Sequence, residues 1–279
     1  MIHLKSIILI FVLIFFNSCS KDKEKILVIQ ETTQESEFLK TYNEAYDELK
    51  KNNSYIAAKK FLDAELLYPQ SSWAQKSALM ASYSFYLNNY YVEAIANLER
   101  YLKTYPNNIN TPYAHYLIAM SYFEMIEDEK RDSEPIIKAK AKFNFIIKNY
   151  PNTDFALDAK FKYDLVENIL ASKEMYLGRH YQKKNKWIAA INRFKNVLEF
   201  YDETAYIEEA LHRLVEIHYA IGLTEEAEKY ANLLGYNYQS SDWYLKSYKI
   251  FNQNYEEISF KEIEKDKKNV LDKFKKIFD

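Results

Sequence analysis

The feature that most constrains this chain is a stretch of helical character that recurs five times and ends each time at a tyrosine. The tyrosines stand 37 to 51 residues apart, and proline follows each of the first three: Tyr68, Tyr105, Tyr150, Tyr201 and Tyr238. An alanine lies eleven residues before each tyrosine: Ala57, Ala94, Ala139, Ala190 and Ala227. Proline ends a helix because it lacks an N–H group and clashes with the preceding turn. A small alanine lets two helices approach closely, so we predict a series of helical hairpins.

The composition agrees with an all-helical protein that has few turns. The chain contains only 3 glycines and 5 prolines, and its 26 tyrosines and 17 phenylalanines are numerous enough to fill the space between stacked hairpins. Basic and acidic residues are nearly balanced, at 38 and 40. A nucleic-acid-binding protein would need a basic face, and we therefore predict no nucleic-acid partner.

The first residues predict a lipoprotein signal peptide. Lys5 precedes an apolar run, Ile7 to Phe16, which is too short to span a membrane. The only cysteine of the chain, Cys19, follows almost at once and is the predicted lipidation site. An ordinary cleavage site with an accidental thiol is the alternative. Because Ser20 rather than aspartate follows the cysteine, we expect the outer membrane rather than the inner one.

The repeats divide the chain into four parts: a signal peptide (1–18), a lipidated tether (19–36), five repeats (37–243) and a C-terminal helical extension (244–279). Turns are predicted at Asn52-Asn53, at Asn88-Asn89, in a charged insertion from Glu127 to Pro135, and at Gly222. The apolar residues of the extension fall mostly on one helical face, with lysines between them. This pattern fits a helix that caps the last repeat or one that binds a partner or a membrane surface.

The residues that usually carry catalysis or bind metals are not arranged for either role. The five histidines form no His-Glu-x-x-His motif, and His212 and His218 are six residues apart, which does not place them on one helical face. Neither a glycine-rich phosphate loop nor a Gly-x-Ser-x-Gly motif occurs. We therefore predict a protein that is not an enzyme and has no cofactor and no metal.

The period and the spacing of small, aromatic and proline positions resemble the tetratricopeptide repeat. The predicted fold is therefore all-α, a superhelix of about five helical hairpins with a C-terminal helical extension. Over residues 38–243 the chain further resembles the BamD family of lipoproteins. The residues that carry this resemblance are Tyr68-Pro69, Trp73 to Lys76, Ala81 to Tyr86, Ala94-Ile95, Arg100 to Leu102, Arg131-Asp132, Tyr150 to Thr153, His180-Tyr181, Ala190 to Arg193 and Ala210-Leu211.

The resemblance implies a lipid-anchored subunit of the outer-membrane β-barrel assembly machinery, on the periplasmic face of the outer membrane. Its partners would be the periplasmic domains of BamA, other Bam lipoproteins and unfolded outer-membrane β-barrel proteins. The later repeats, about 172–243, would bind BamA, with Arg179, Arg193 and Arg213 as candidate contacts. Arg131 and Asp132 are assigned a structural role as an ion pair that pins the insertion, with direct partner contact as the alternative.

A candidate substrate groove follows from the repeat geometry, in which the first helix of each hairpin lines the concave face. The predicted groove residues are apolar or aromatic: Tyr42, Tyr46, Leu79, Tyr83, Tyr86, Tyr113, Tyr116 and Phe123. An exposed apolar strip of this kind marks a binding site, here for extended segments rich in aromatic residues. The alternative is that the N-terminal tether or tight closure of the superhelix fills the groove.

Two other functions remain open from the sequence. A periplasmic repeat lipoprotein that coordinates envelope constriction with peptidoglycan synthesis would usually carry a coiled coil before its repeats, and residues 20–40 are too short for one. A glycan-binding repeat lipoprotein would need exposed tryptophans on inserted loops. Trp73, Trp187 and Trp243 instead stand at predicted helix starts and are assigned to the core.

Overall fold

A computed structural model describes residues 33–128 and 131–252. The chain divides into two compact units, with the division between Asn88 and Asn89. The described part of the first unit holds three helices: α1 (Thr33–Lys50), α2 (Ser54–Leu67) and α3 (Ser72–Leu87). The described part of the second unit holds eight: α4 (Tyr91–Thr104), α5 (Thr111–Glu124), α6 (Glu134–Asn149), α7 (Asp154–Lys183), α8 (Trp187–Phe200), α9 (Ile207–Ala220), α10 (Thr224–Asn237) and α11 (Asp242–Phe251).

The described ranges contain helices and no strand, which confirms the all-α prediction. The predicted signal peptide, Cys19 and most of the tether lie outside them, as do residues 253–279 of the C-terminal extension. Helix α1 begins at Thr33, within the last residues assigned to the tether. The extension begins within a helix, since α11 runs from Asp242 to Phe251.

Within each unit, helices that follow one another along the chain pack against each other. In the first unit α2 packs on both α1 and α3. In the second unit α5 pairs with α6, α7 with α8 and α9 with α10, and α11 packs on both α9 and α10. These are the third, fourth and fifth predicted hairpins. The second predicted hairpin consists of α3 and α4, which belong to different units.

The repeated alanines lie in the core of the protein. All five are fully buried, and so are the large residues four positions after the first four of them: Phe61, Leu98, Phe143 and Phe194. Alanine and the residue four later lie on the same helical face. The four-residue step from alanine to a large residue, which recurs in the sequence, is therefore the spacing of buried residues in the core.

Four of the turns that join successive described helices contain a residue with left-handed backbone geometry. Asn52 (φ 63°), Asn89 (φ 60°) and Gly222 (φ 84°) stand at three of the predicted turns. Asn185 (φ 56°) makes the equivalent turn between α7 and α8, which the sequence analysis did not single out. Asparagine is one of the few residues other than glycine that adopts this region readily.

The second helix of each repeat ends in the same way whether or not proline follows the tyrosine. Tyr201, followed by aspartate, has φ −140° and ψ 40°, and Tyr150, followed by proline, has φ −131° and ψ 45°. The backbone C=O of each tyrosine accepts a hydrogen bond from a hydroxyl three residues later, from Thr204 Oγ1 at 2.7 Å and Thr153 Oγ1 at 2.8 Å. In both turns the same C=O also accepts from the backbone N–H three residues later, at 3.1 Å, so the turn forms with or without a following proline.

Candidate functional site

The later repeats contain a network of ion pairs between α7 and α9, which we call the arginine–glutamate cluster and define as Arg179, Glu209, Arg213 and Glu216. Arg179 Nη1 on α7 donates to both carboxylate oxygens of Glu209 on α9, at 3.1 and 3.0 Å. Arg213 Nε donates to Glu209 Oε1 at 3.2 Å, and Arg213 Nη1 donates to Glu216 Oε2 at 2.8 Å. Glu209 thus joins two arginines and links the first helices of two successive hairpins.

The same cluster is joined to α11 through His212. The Nδ1 atom of His212 lies 2.8 Å from Ser247 Oγ, and its Nε2 atom lies 3.3 Å from Glu216 Oε1. The ring of Trp243 lies against the His212 ring, with centroids 5.2 Å apart, and against the guanidinium of Arg213, at 5.5 Å. Both His212 and Ser247 are buried, so this contact fastens α11 to α9.

The carboxyl group of Glu216 is strongly affected by these neighbours. Burial, the largest single influence, would raise its pKa, but hydrogen bonds and charges from His212 and Arg213 together outweigh burial. The pKa of Glu216 is lowered from 4.5 to about 2. The charged form of Glu216 is therefore stabilised by folding.

We expect Glu216→Gln to remove part of the acid sensitivity of the protein. A pKa that folding lowers contributes stability above pH 4.5, and this contribution is lost as the pH falls towards 2. The free energy of unfolding of the wild type, measured by urea denaturation, should therefore decrease more across this interval than that of Glu216→Gln. Glu203→Gln, at an exposed position, serves as control and should keep the wild-type dependence. If the free energy of unfolding of wild type and of Glu216→Gln decreased equally over this pH interval, the lowered pKa assigned to Glu216 would be contradicted.

Arg193, the third arginine predicted to contact a partner, also has an internal carboxylate partner. Its Nη1 atom on α8 lies 3.2 Å from Glu174 Oε1 on α7, and Asn196 Nδ2 donates to the other oxygen of the same carboxylate at 2.9 Å. The side chains of Arg179, Arg193 and Arg213 are all partly exposed. Each arginine is thus paired within the chain while part of its side chain reaches solvent, and partner contact stays a prediction.

The charged insertion is held by contacts other than an Arg131–Asp132 ion pair. Arg131 Nε lies 3.3 Å from Glu127 Oε2, and both side chains are mostly exposed. Asp132 Oδ1 accepts from the backbone N–H of Glu134 at 3.0 Å, close to the start of α6. The backbone C=O of Arg131 accepts from Lys173 Nζ of α7 at 2.6 Å. Lys173, which sequence reasoning missed, therefore ties the insertion to the following repeat.

In the first unit, two of the predicted groove residues belong to the core instead. Tyr42 and Leu79 are each only 8% exposed. The ring of Tyr42 packs against Phe38, Phe61 and Trp73, with centroids 5.2 to 5.8 Å apart. The ring of Trp73 on α3 covers Tyr42. Tyr42 is therefore a core residue and does not line a groove, in contrast to the prediction.

The other groove residues of the first unit reach solvent to different extents. Tyr46 is 44% exposed, with the Nζ atom of Lys50 4.5 Å from its ring centroid. Tyr83 and Tyr86 are partly buried. Trp73, which was assigned to the core, is still 37% exposed. Accessible aromatic surface therefore remains on α1 and α3.

In the second unit, the predicted groove residues are partly buried against α7. The rings of Tyr113 and Tyr116 lie 5.4 and 5.3 Å from the ring of Phe155, and Tyr116 Oη donates to Asp158 Oδ2 at 2.6 Å. The ring centroid of Phe123 lies 5.0 Å from Lys162 Nζ. Phe123 also lines a cavity of about 320 Å³. These contacts fix the aromatic rings, and their use as a substrate groove stays a prediction.

Residues 33–128 and 131–252 lack two kinds of feature. No helix there is both long enough and apolar enough to cross a membrane. Within the same ranges, no group of three or more histidine, cysteine, aspartate or glutamate residues is placed to hold a metal ion.

Comparison with known proteins identifies the family. A family model described as an outer membrane lipoprotein, YfiO, matches residues 34–233. A protein of Caulobacter vibrioides is 40% identical over 234 residues, which are 84% of this chain and 75% of that protein. A protein of Rickettsia prowazekii is 40% identical over 215 residues, or 77% of this chain and 85% of that protein. Both relatives are named outer membrane protein assembly factor BamD. These matches confirm the resemblance, and the chain belongs to the YfiO family of outer membrane lipoproteins, which includes BamD.

Proposed function

We propose that this chain is a non-enzymatic lipoprotein subunit of the outer-membrane β-barrel assembly machinery. It supports BamA and receives unfolded outer-membrane proteins before their insertion. The observation that carries this proposal is the 40% identity over 84% of the chain to a protein named as an outer membrane protein assembly factor. The family description as an outer membrane lipoprotein supports the location.

The predicted anchor places the repeats on the periplasmic face of the outer membrane. Cleavage before Cys19 and acylation of its thiol leave a tether of residues 19–36 between the lipid and the repeats. A polar chain of this length reaches a few tens of ångströms, roughly enough to clear the lipid headgroups. The formal net charge of the full chain is −2, so its overall charge provides no attraction to an anionic membrane surface.

The later repeats, about 172–243, are the proposed BamA-binding region. Support comes from Arg179 and Arg193, whose guanidinium groups are held by Glu209 and Glu174 and remain partly exposed. Arginine pairs with carboxylates through two parallel hydrogen bonds, and a guanidinium already held in place loses little freedom on binding. A carboxylate of BamA can thus bind Arg179 or Arg193 while the arginine keeps its hydrogen bonds to Glu209 or Glu174. Other Bam lipoproteins are further proposed partners.

The earlier repeats are proposed to receive unfolded substrates through their accessible aromatic side chains. Because Tyr42 and Leu79 are buried, the proposed substrate-binding residues are Tyr46, Tyr83 and Tyr86 in the first unit and, as a separate set, Tyr113, Tyr116 and Phe123 in the second. Partly buried aromatic rings lose little conformational freedom when a ligand packs on them. This property suits the capture of extended, aromatic-rich segments, such as the last strand of an unfolded barrel protein.

A peptide titration tests the substrate groove. The peptide is an alternating apolar strand that ends in phenylalanine, and the variant is Tyr83→Ala/Tyr116→Ala. Each aromatic anchor costs about 1 kcal/mol or more when truncated, so the double variant should bind roughly tenfold more weakly or worse. Tyr236→Ala, at a highly exposed position of α10, should bind like the wild type. Equal affinity for wild type and double variant, with helical content unchanged by circular dichroism, would rule out these aromatic residues as the receptor site.

A further inference from the structure

The last two helices form a groove with an aromatic wall. It has a volume of about 240 Å³ and is lined by Glu228 and Asn232 of α10 and by Tyr244, Tyr248 and Phe251 of α11. The three aromatic residues are spaced four and three positions apart and therefore share one face of α11. Tyr248 is 39% exposed, so this wall is accessible from solvent.

Contacts with α9 and α10 fix the position of α11, which forms one wall of the groove. Gly235 of α10 permits a close approach of α11, because a Cβ atom at this position would lie only 2.7 Å from Tyr244 Cε2. Helix α11 is also fastened to α9 by the contact between His212 Nδ1 and Ser247 Oγ at 2.8 Å. The ring of Phe251 also packs on Tyr219 of α9, with centroids 5.4 Å apart. The groove is therefore a defined feature of the last repeat.

The chain leaves the described structure at this groove. Phe251 and Asn252, the last described residues, are both part of its lining. The 27 residues that follow, 253–279, therefore start next to the aromatic wall. Residues 253–264 are long enough to reverse the chain direction, and a helix over residues 265–279 would extend about 22 Å, longer than the ten-residue α11.

The sequence of this segment is complementary to the groove. Five apolar residues are spaced at one, four, seven and eight positions from the first and form one helical stripe: Val270, Leu271, Phe274, Ile277 and Phe278. Lys273 and Lys275 flank this stripe in a helical arrangement. On α10, Glu228 lines the groove, and Glu225, three positions earlier in the chain, is also exposed. The stripe thus matches the aromatic wall, and the flanking lysines match the carboxylates.

We propose that residues 265–279 bind as an amphipathic helix in the groove between α10 and α11 of the same chain. The end of a repeat array presents a face that would otherwise stack on a further repeat, and a terminal helix commonly covers it. In this arrangement the apolar stripe is buried within the protein and does not contact the membrane. The proposal concerns the last repeat alone and does not depend on the proposed function.

Site-specific photo-crosslinking of the purified full-length protein tests this proposal. Tyr248 is replaced by p-benzoylphenylalanine, and crosslinked peptides are identified by mass spectrometry. We expect crosslinks within one chain to residues 265–279, and their loss in Leu271→Ser/Phe274→Ser/Ile277→Ser. The matched control, Lys265→Ser/Asn269→Ser/Lys276→Ser, changes the opposite face and should keep them. The same probe at Ile188, an exposed position of α8, should not reach this segment.

Three results would overturn the proposal. The first is a Tyr248 crosslink that is absent from residues 265–279 or unaffected by the triple serine change on the apolar stripe. The second is a crosslink between two chains, which would assign the groove to a second copy. The third is that the Cys19→Ala protein floats with phosphatidylglycerol vesicles only when the apolar stripe is intact, which would assign the stripe to the membrane surface.

Discussion

Phe194→Ala is expected to lower the free energy of unfolding by about 3–5 kcal/mol, the usual cost of removing a fully buried phenylalanine side chain. Phe194 is fully buried in a cluster with Met175, Val197 and Leu214. Its ring also packs directly on the backbone of α7, because a Cβ atom at Gly178 would lie only 2.5 Å from Phe194 Cε1. The cavity left by alanine would therefore lie between three helices, α7, α8 and α9.

Urea denaturation followed by circular dichroism measures this effect, and the same helix offers a matched control. Phe200, also on α8, is 57% exposed, so Phe200→Ala should change the free energy of unfolding by less than about 0.5 kcal/mol. If Phe194→Ala were no more destabilising than Phe200→Ala, Phe194 would not be the core residue of the fourth repeat.

Cys19→Ala is expected to move the protein from the membrane fraction to the soluble fraction. Each buried methylene of an acyl chain contributes about 0.8 kcal/mol to membrane binding, and stable anchoring requires more than one chain. The helices of residues 33–128 and 131–252 provide no membrane-spanning substitute. Loss of the thiol therefore removes the proposed anchor.

Cell fractionation and the intact mass of the membrane-extracted protein measure this change. Ser20→Ala, at the adjacent position, should leave the protein in the membrane fraction with the same acyl mass. A wild-type protein that begins elsewhere than Cys19, or that lacks the mass of acyl chains, would contradict the lipoprotein assignment.

Much of the fold could be predicted because the core repeats at a fixed spacing. The buried alanines and the large residues four positions later, such as Ala190 and Phe194, can be read directly from the sequence. The turns at Asn52 and Gly222 were predictable for a similar reason, since few residues adopt left-handed backbone geometry. The end of α8 was less predictable, because aspartate rather than proline follows Tyr201.

The candidate sites were harder to predict because they depend on contacts between distant residues. The burial of Tyr42 results from Trp73, which α3 brings over its ring. Similarly, the two carboxylate oxygens of Glu209 meet Arg179, which is 30 residues away in the chain. Helical periodicity places a residue on a face of its own helix, but it does not show which side chain of a neighbouring helix will cover it.

The role of the later repeats is best examined with the intact chain and targeted changes. Helix α7 is continuous from Asp154 to Lys183, so a chain that ends near residue 171 would cut this helix. Arg179→Ala/Arg193→Ala instead removes two partly exposed guanidinium groups and leaves the hairpins in place. Its helical content, measured by circular dichroism, shows whether the repeats remain folded.

The most direct test of the central claim is co-purification from detergent-solubilised membranes, with the full-length lipidated chain as bait. The account predicts that BamA is recovered with the wild-type chain. It also predicts that less BamA is recovered with folded Arg179→Ala/Arg193→Ala. Failure to recover BamA with the intact, membrane-anchored wild-type chain would contradict its assignment to the β-barrel assembly machinery.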